Sequence, residues 1–154
     1  MPAMDMRRGP AGGAFHGAKL ALFIGEGLLV YLRDDDPGIP WPAFWDLPGG
    51  GREGTESPVE CVLRETHEEF GLHLSGDDLV YSRAEPAAQG ARAVSWFFAA
   101  HLPAAAAGEV RFGTEGQCWR MVKPAAYHRH LRAVPHLRAR LAAYLAWRAR
   151  AQGA

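Results

Sequence analysis

The stretch from Gly50 to Leu72 constrains the fold of this chain more than any other. It reads GGREGTESPVECVLRETHEEFGL. Ser57-Pro58-Val59-Glu60 is a capping box with proline in the first helical turn, where its missing N–H costs least. Gly71 suits a left-handed C-terminal cap. The sequence therefore predicts a helix over about residues 58–70.

This predicted helix has an apolar face and an acidic face. The apolar stripe, at helical spacing, consists of Val59, Val62, Leu63, Thr66 and Phe70. Glu65, Glu68 and Glu69 lie at i, i+3 and i+4, so their carboxylates project together and repel one another. Glu68 and Glu69 also lie at the helix end where the dipole disfavours anions. A divalent cation would reverse the repulsion, although a solvated acidic face is the simpler interpretation of the triplet alone.

The residues before the helix favour the functional interpretation. Leu47 to Gly51 reads LPGGG, a predicted loop whose backbone can approach a ligand closely because no Cβ intervenes. Together with Glu56 and the run from Arg64 to Leu72 (RETHEEFGL), it resembles the signature of Nudix hydrolases. Thr66 stands where that family usually has an aliphatic residue. We expect it to pack through its methyl group, with its hydroxyl hydrogen-bonded back to the helix.

The resemblance implies both a fold and a reaction. The fold is of the α/β (α+β) class, a mixed β-sheet sandwiched between α-helices. The reaction is hydrolysis of a pyrophosphate bond with Mg²⁺, or alternatively Mn²⁺. Divalent ions screen the negative charge that protects such bonds and lower the pKa of bound water. Mg²⁺ prefers the oxygen ligands that clustered carboxylates supply, and no His/Cys pattern in the sequence competes for zinc.

The resemblance also implies roles for single residues. Glu65, Glu68 and Glu69 would bind metal or activate water, and Gly49 would offer its carbonyl oxygen to the metal. Arg64 would orient a glutamate through charge-assisted hydrogen bonds. The predicted catalytic set is Arg64, Glu65, Glu68 and Glu115, and the other motif positions are Gly50, Glu56 and Gly71. Glu56 is interpreted as either an outer ligand or a structural partner.

The family often takes its general base from outside the motif. Glu115, within Phe112-Gly113-Thr114-Glu115-Gly116, is our candidate because it lies in a predicted loop before a strand. Glu109 is the alternative. An exposed loop acid without a catalytic role fits the sequence of this segment equally well.

Composition indicates an ordinary globular chain of 154 residues, with 48% hydrophobic and 22% charged residues. We expect residues 1–14 to be flexible and residues 15–150 to form one domain that includes the C-terminal helices. No apolar run approaches the length of a membrane span, so we expect a cytoplasmic protein without a membrane partner. Its two cysteines, Cys61 and Cys118, are expected to be reduced.

Charge is distributed unevenly, although the formal net charge is zero. All 17 acidic residues lie at or before Glu115, and residues 120–154 carry eight basic ones. A surface for a polyanion would explain this pattern. We favour a basic outer face on a C-terminal helix, because no recognition pattern for nucleic acid accompanies it.

The rest of the chain alternates strands and loops. Strands are predicted at 18–24, 28–32, 79–83, 93–101 and 119–122, with a hairpin at Gly25–Gly27. Residues 93–101 are apolar on both faces, which is typical of a central strand. Residues 33–38, with their acidic triplet, and 104–108 are predicted loops, and an aromatic residue of 41–45 should lie at the site's rim. Helices are predicted to begin at Pro124 and Pro135, the second docking through Leu137, Leu141, Tyr144 and Leu145.

Several functions remain open at this stage. We expect a nucleotide-type small molecule as substrate, first of all a nucleoside triphosphate, including oxidised forms. ADP-ribose or another nucleotide sugar, or a dinucleoside polyphosphate, is the alternative, and Pro86, 14 residues after Leu72, does not decide between them. A regulatory module that binds nucleotide without turnover is the alternative of another class. Processing of RNA 5′ ends is a third possibility, motivated by the basic C-terminal region.

Overall fold

The computed structural model describes residues 14–86 and 94–153. These residues form seven strands and three α-helices. In chain order the elements are β1 (Gly17–Ile24), β2 (Gly27–Leu32), β3 (Trp45–Asp46), β4 (Gly49–Gly51), α1 (Pro58–Phe70), β5 (Leu79–Pro86), β6 (Val94–Leu102), β7 (Cys118–Val122), α2 (Pro124–Arg129) and α3 (Pro135–Gly153). Two 3₁₀ helices span Gly76–Asp78 and Ala104–Glu109. The predicted flexible segment 1–14 lies outside the described residues except for Ala14.

The strands form one mixed sheet, which confirms the predicted fold class. The order is β3-β2-β1-β6-β5, with β4 paired to β1 and β7 paired to β2. β1 and β6 are parallel, from the Gly17–Ser95 pair to the Ile24–Leu102 pair, and the other pairings are antiparallel. The predicted hairpin joins β1 to β2 through a turn in which Gly25 has a φ of 59°.

Helices cover both faces of this sheet. On one face α1 packs against strand residues through Val59, Val62 and Phe70. On the other face α2 and α3 pack through Tyr127, Leu137, Leu141 and Tyr144. Each fully buried Leu or Phe in such a core contributes about 2 kcal/mol of transfer free energy. β6 lies between β1 and β5 and sends Phe98 to the first face and Phe97 to the second, as expected for a central strand.

The capping signals of α1 act as the sequence predicts. The Ser57 hydroxyl accepts a hydrogen bond from the Glu60 N–H, and the Glu60 carboxylate accepts one from the Ser57 N–H, both at 3.1 Å. Gly71 closes the helix in the left-handed conformation and donates to the His67 carbonyl. These reciprocal caps fix the first and last turns and hence the direction of the acidic face.

Thr66 contradicts one expectation. Its side chain is completely buried, and its hydroxyl has no hydrogen-bond partner among the described residues. The predicted bond back to the helix is therefore wrong. The neighbouring buried side chains on this face, Val62 and Phe70, have no polar atoms. They can pack against the Thr66 methyl group but offer its hydroxyl no hydrogen bond.

Three short segments also differ from the sequence prediction. Part of the predicted glycine loop is the strand β4, because Gly49–Gly51 pairs with Gly17–Lys19. A Cβ on Gly49 would lie 2.1 Å from the carbonyl oxygen of Ala18, so only glycine permits this approach. Residues 104–108 belong to a 3₁₀ helix rather than a loop, and β3 was not predicted because two residues are too short for a periodic pattern.

The cysteines and the charged segments can also be compared with the sequence predictions. Within the part of the chain that the structure describes, no helix is long and apolar enough to cross a membrane. Cys61 and Cys118 are both free thiols, as predicted. The acidic triplet at 34–36 is exposed, which confirms a solvated loop. Most of the basic C-terminal residues are exposed or partly exposed, but Arg140 is buried.

Candidate active site

Glu69 is the buried member of the acidic face. The residue is only 7% exposed, and its Oε1 accepts a 2.7 Å hydrogen bond from the N–H of Gly49. Burial raises the pKa of Glu69 to about 8, with Asp46 and Glu65 adding to the effect and Lys19 and the Gly49 N–H opposing it. The environment therefore penalises the charged carboxylate. A cation beside Glu69 would remove that penalty.

Glu65 lies against the glycine strand. A Cβ on Gly50 would approach the Glu65 carboxyl carbon to 2.7 Å, so glycine at this position makes room for the carboxylate. Burial raises the pKa of Glu65 and the nearby Arg64 guanidinium opposes that rise. A side chain at Gly50 would force the Glu65 carboxylate to move from this position.

Arg64 connects three carboxylates, one from the segment before α1 and two from α1 itself. Its guanidinium donates to Glu56 at 2.6 and 3.0 Å, to Glu65 at 3.0 Å and to Glu68 at 3.1 Å, and it also donates to the Gly51 carbonyl at 2.9 Å. These bonds raise the pKa of Arg64 and lower the pKa of Glu56. Glu56 is accordingly a structural partner of Arg64 in this structure. The Glu68 side chain is 55% exposed, so its bond to Arg64 faces solvent.

A second charged network, which the sequence did not reveal, lies beneath β4. The buried Asp46 carboxylate accepts hydrogen bonds from Lys19 at 3.0 Å, Arg33 at 2.8 Å and the Tyr31 hydroxyl at 3.0 Å. Lys19 also donates to the carbonyls of Leu47 and Gly49, at 3.2 and 3.0 Å. The only sequence signal was an acid directly before Leu47-Pro48, in a segment otherwise apolar.

Glu115 is brought to the site by backbone contacts of its loop. The Gly113 N–H donates to the Glu69 carbonyl at 2.8 Å, and the Gly116 N–H donates to the Asp34 carboxylate at 3.3 Å. Glu115 itself is exposed and lines the same cavity as Glu65, Glu68 and Glu69. Glu109, the alternative candidate, is exposed at the end of a 3₁₀ helix and does not line that cavity.

The cavity has a volume of about 630 Å³ and receives residues from several elements. One wall is formed by β4 and the acidic face of α1, and the opposite end by the start of α3 with Val134, His136, Leu137 and Arg140. Trp41 lines it and is 37% exposed, so it provides the aromatic rim residue that the sequence predicted. A cavity of this size accommodates a nucleotide-sized molecule.

The donor atoms suit a hard divalent cation, but they are not yet arranged around one point. Among residues 14–86 and 94–153, no three His, Cys, Asp or Glu side chains stand ready to hold a metal ion. Arg64 donates hydrogen bonds to Glu65 and Glu68, and the Lys19 ammonium donates one to the Gly49 carbonyl oxygen. Carboxylate and carbonyl oxygens are the ligands that Mg²⁺ and Mn²⁺ prefer, so the site fits the metal in chemistry and would have to regroup to bind it.

Comparison with known proteins agrees with this geometry. A sequence model of the NUDIX domain matches residues 16–144. The chain belongs to the Nudix family. The MutT protein from Methanosarcina mazei Go1 superposes with a TM-score of 0.68 at 17% identity, over 88% of this chain and 96% of that one. At this identity the likeness shows the Nudix fold alone.

Two further proteins illustrate the range of this family. A bifunctional NMN adenylyltransferase/ADP ribose pyrophosphatase from Francisella tularensis, solved with AMP and a manganese ion, has a TM-score of 0.54 and 18% identity over 73% of this chain and 34% of that one. An RNA pyrophosphohydrolase of Acidiphilium cryptum (strain JF-5) is 43% identical over 51 residues, 33% of this chain and 31% of the relative. The chain thus spans about a third of the length of the curated relatives it matches.

Proposed function

We propose that this protein hydrolyses a pyrophosphate bond in a nucleoside diphosphate linked to another group. Our first candidate substrate is a nucleoside triphosphate, including oxidised forms, which would give a monophosphate and pyrophosphate. One observation carries the proposal: the buried Glu69 carboxylate, anchored by Gly49, shares a single cavity with Glu65, Glu68 and Glu115. Four acids around a nucleotide-sized space would repel a phosphate chain unless cations accompanied it.

Nudix hydrolases generally use divalent metal ions. We infer that Glu65, Glu68, Glu69 and the Gly49 carbonyl would hold Mg²⁺, or Mn²⁺ in its place. When bound, such an ion screens phosphate charge and lowers the pKa of coordinated water. The raised pKa of Glu69 supports this assignment, because a carboxylate penalised by burial and by neighbouring acids gains most from a cation.

The protein's own groups divide the remaining work. Arg64 orients Glu65 and Glu68 through its fork of hydrogen bonds. Glu115, exposed at the cavity wall, accepts the proton of the attacking water as general base. Trp41 at the rim offers an apolar ring on which a base can stack. Pro86, the last residue of β5, accepts a hydrogen bond from Arg140 through its carbonyl and does not decide between the candidate substrates.

The decisive experiment is a substrate panel with Mg²⁺ or Mn²⁺ in which the products show which phosphate bond was cut. The panel contains nucleoside triphosphates and their oxidised forms, ADP-ribose, a nucleotide sugar and a dinucleoside polyphosphate. Cleavage of none of them, with nucleotide binding retained, would refute hydrolysis and favour a regulatory module. Cleavage of ADP-ribose alone would correct the substrate.

Glu69→Gln tests the acidic face directly. The amide keeps an oxygen for the Gly49 N–H but removes the charge that a cation would need, so we expect at least a hundredfold loss of metal-stimulated turnover with unchanged folding. Glu60→Gln is the matched control, since it lies on the same helix and glutamine preserves a capping box. Turnover at the wild-type rate in Glu69→Gln would refute the assignment.

A second candidate function is removal of pyrophosphate from RNA 5′ ends. It is favoured by the name of the curated relative that is 43% identical over 51 residues. Arg120, Arg129 and Arg132 are exposed and could contact a phosphate backbone. Binding to 5′-triphosphorylated RNA that weakens steeply with salt would support this function, and RNA affinity no greater than that for the free nucleotide would remove it.

A further inference from the structure

Arg140 is a buried cation in the cavity wall without an ion-pair partner among the described residues. The residue is only 9% exposed. Its guanidinium donates to the Ser95 hydroxyl at 3.0 Å and to the Pro86 carbonyl at 2.8 Å, and both acceptors are neutral. Burial lowers the pKa of Arg140, although an arginine stays protonated at neutral pH. A buried positive charge therefore remains without a counter-charge in contact.

The other long cations of the cavity differ from Arg140 in this respect. Lys19 and Arg33 both form ion pairs with the Asp46 carboxylate, at 3.0 and 2.8 Å. Glu85 lies close enough to Arg140 to favour its charged form, but the Glu85 carboxylate forms its ion pair with Arg83 at 3.1 Å. Burying a charge without a partner is expensive, so an uncompensated one in a cavity wall indicates an anionic ligand.

The guanidinium also has N–H donors beyond the two that Ser95 and Pro86 use. An arginine carries five N–H groups. The two bonds to Ser95 and Pro86 use one N–H on each terminal nitrogen, which leaves three for a ligand. The planar guanidinium can donate two parallel hydrogen bonds to two oxygens of one phosphate group, which a carbonyl with a single oxygen cannot accept in that way.

Arg140 and the acidic wall come from different helices. It extends from α3, whereas the carboxylates extend from α1 on the other side of the sheet, and both line one cavity. A single ligand can therefore meet the acidic wall with one group and Arg140 with another. The proposed function assigns the phosphate chain that is cut to the acidic wall, and we therefore take the anion at Arg140 to be a second one.

We propose that Arg140 binds a second phosphate, carried on the ribose of the nucleotide rather than in the chain that is cut. This inference rests on the proposed function for the orientation of the substrate. The same phosphate chemistry has two sources: a monoester on the ribose of a free nucleotide, or the phosphodiester that leads to the next nucleotide of an RNA. In either case Arg140 determines specificity and does not take part in bond cleavage.

The test measures binding without turnover. The intact protein, with Mg²⁺ present, is titrated calorimetrically with AMP, with adenosine 3′,5′-bisphosphate, and with the 5′-phosphorylated dinucleotide pApA, none of which has a pyrophosphate bond to hydrolyse. We expect the wild type to bind the bisphosphate, the dinucleotide or both about tenfold more tightly than AMP, as one bidentate charge-assisted contact allows. A preference for the bisphosphate identifies the monoester as the source, and a preference for pApA identifies the phosphodiester.

Arg140→Gln should abolish that preference and leave AMP affinity within about twofold of wild type, since the change removes one contact to one group. Arg150→Gln, at an exposed position of the same helix, is the matched control. Arg140→Lys keeps the charge and should retain part of the preference, which provides a second variant if Arg140→Gln folds poorly. If Arg140 had a purely structural role, Arg140→Gln would lower the affinity for all three ligands alike.

Three results would overturn the proposal. One is equal affinity of wild type for AMP and for both doubly phosphorylated ligands. Another is an equal loss for all three in Arg140→Gln. The third, measured by adding GMP to the same titrations, is a preference that follows the base, with GMP bound more tightly than AMP by wild type but not by Arg140→Gln. Because none of these ligands can be hydrolysed, the outcomes are independent of the substrate panel, so a failure here is distinguishable from a failure of the proposed hydrolase activity.

Discussion

Asp46 is the most highly connected buried acid of the site, and its replacement by asparagine gives a prediction whose size follows from the contacts. The residue is almost fully buried, and one carboxylate oxygen accepts from Lys19, Arg33 and Tyr31. The other oxygen accepts from the Leu47 N–H at 2.7 Å. Asparagine preserves the shape but removes the charge, and its NH₂ group would face donors rather than acceptors.

The size of the stability loss depends on how far the ion pairs of Asp46 are shielded from water. Breaking a fully buried ion pair costs about 3–5 kcal/mol, because the remaining charge has no partner. The side chains of Lys19 and Arg33 are 19% and 21% exposed, so water can recover part of that loss. We therefore expect Asp46→Asn to lower the free energy of unfolding by about 2–4 kcal/mol. That is a large fraction of the total stability of a domain.

The pH dependence has a defined sign. Burial opposes the charged form of Asp46, but Lys19 and Arg33 outweigh it and hold the pKa of Asp46 below its ordinary 3.8. The folded state thus binds fewer protons here than the unfolded state does. The stabilisation is present above the unfolded pKa and is lost as the pH falls through the folded pKa. The difference between wild type and Asp46→Asn should accordingly be full at pH 7 and shrink below about pH 4.

Urea unfolding at pH 7 and at several pH values from 5 down to 3 measures both effects. Asp35→Asn, at an exposed loop position, is the control for loss of one negative charge and should change stability by less than about 0.5 kcal/mol. The reasoning is refuted if Asp46→Asn costs no more than Asp35→Asn. It is also refuted if the cost is the same at pH 3 as at pH 7.

Two other changes probe single groups. Thr66→Val replaces a buried hydroxyl without a partner by a methyl of the same shape, so it should raise the free energy of unfolding by about 1 kcal/mol in the same urea assay, and a decrease would contradict it. Thr55→Val, at an exposed position, should leave stability nearly unchanged. Glu115→Gln should lower kcat about a hundredfold with little change in KM, as expected for a general base, and a wild-type kcat in steady-state kinetics would exclude that role.

Local signals in the sequence predicted local structure well. The bounds and both caps of α1 follow from residues within one turn of each end, so Ser57, Glu60 and Gly71 sufficed to place it. The two C-terminal helices begin at the prolines that the sequence indicated, because proline is tolerated in a first turn and nowhere later. The central strand β6 was predictable because both of its faces are apolar.

Contacts between distant segments were not predictable in this way. Lys19 and Asp46 are 27 positions apart, and Arg140 reaches Ser95 across 45 positions. Neither pair has a periodic or capping pattern that would connect its members. The strand β4 was missed for a related reason, since three glycines carry no side-chain signal and acquire their extended form only by pairing with β1. These segments supply the floor and the far end of the cavity.

The acidic face of α1 shows where the need for a cation is concentrated. The sequence predicts that the three clustered glutamates repel one another, and the family resemblance implies a metal ion or an activated water for all of them. Arg64 shares its single positive charge among Glu56, Glu65 and Glu68, while none of its hydrogen bonds to described residues reaches Glu69. Among the described residues, the Glu69 carboxylate accepts a hydrogen bond only from the Gly49 N–H, and burial raises its pKa to about 8. Of the acids around the cavity, the buried Glu69 carboxylate would therefore gain most from a bound cation.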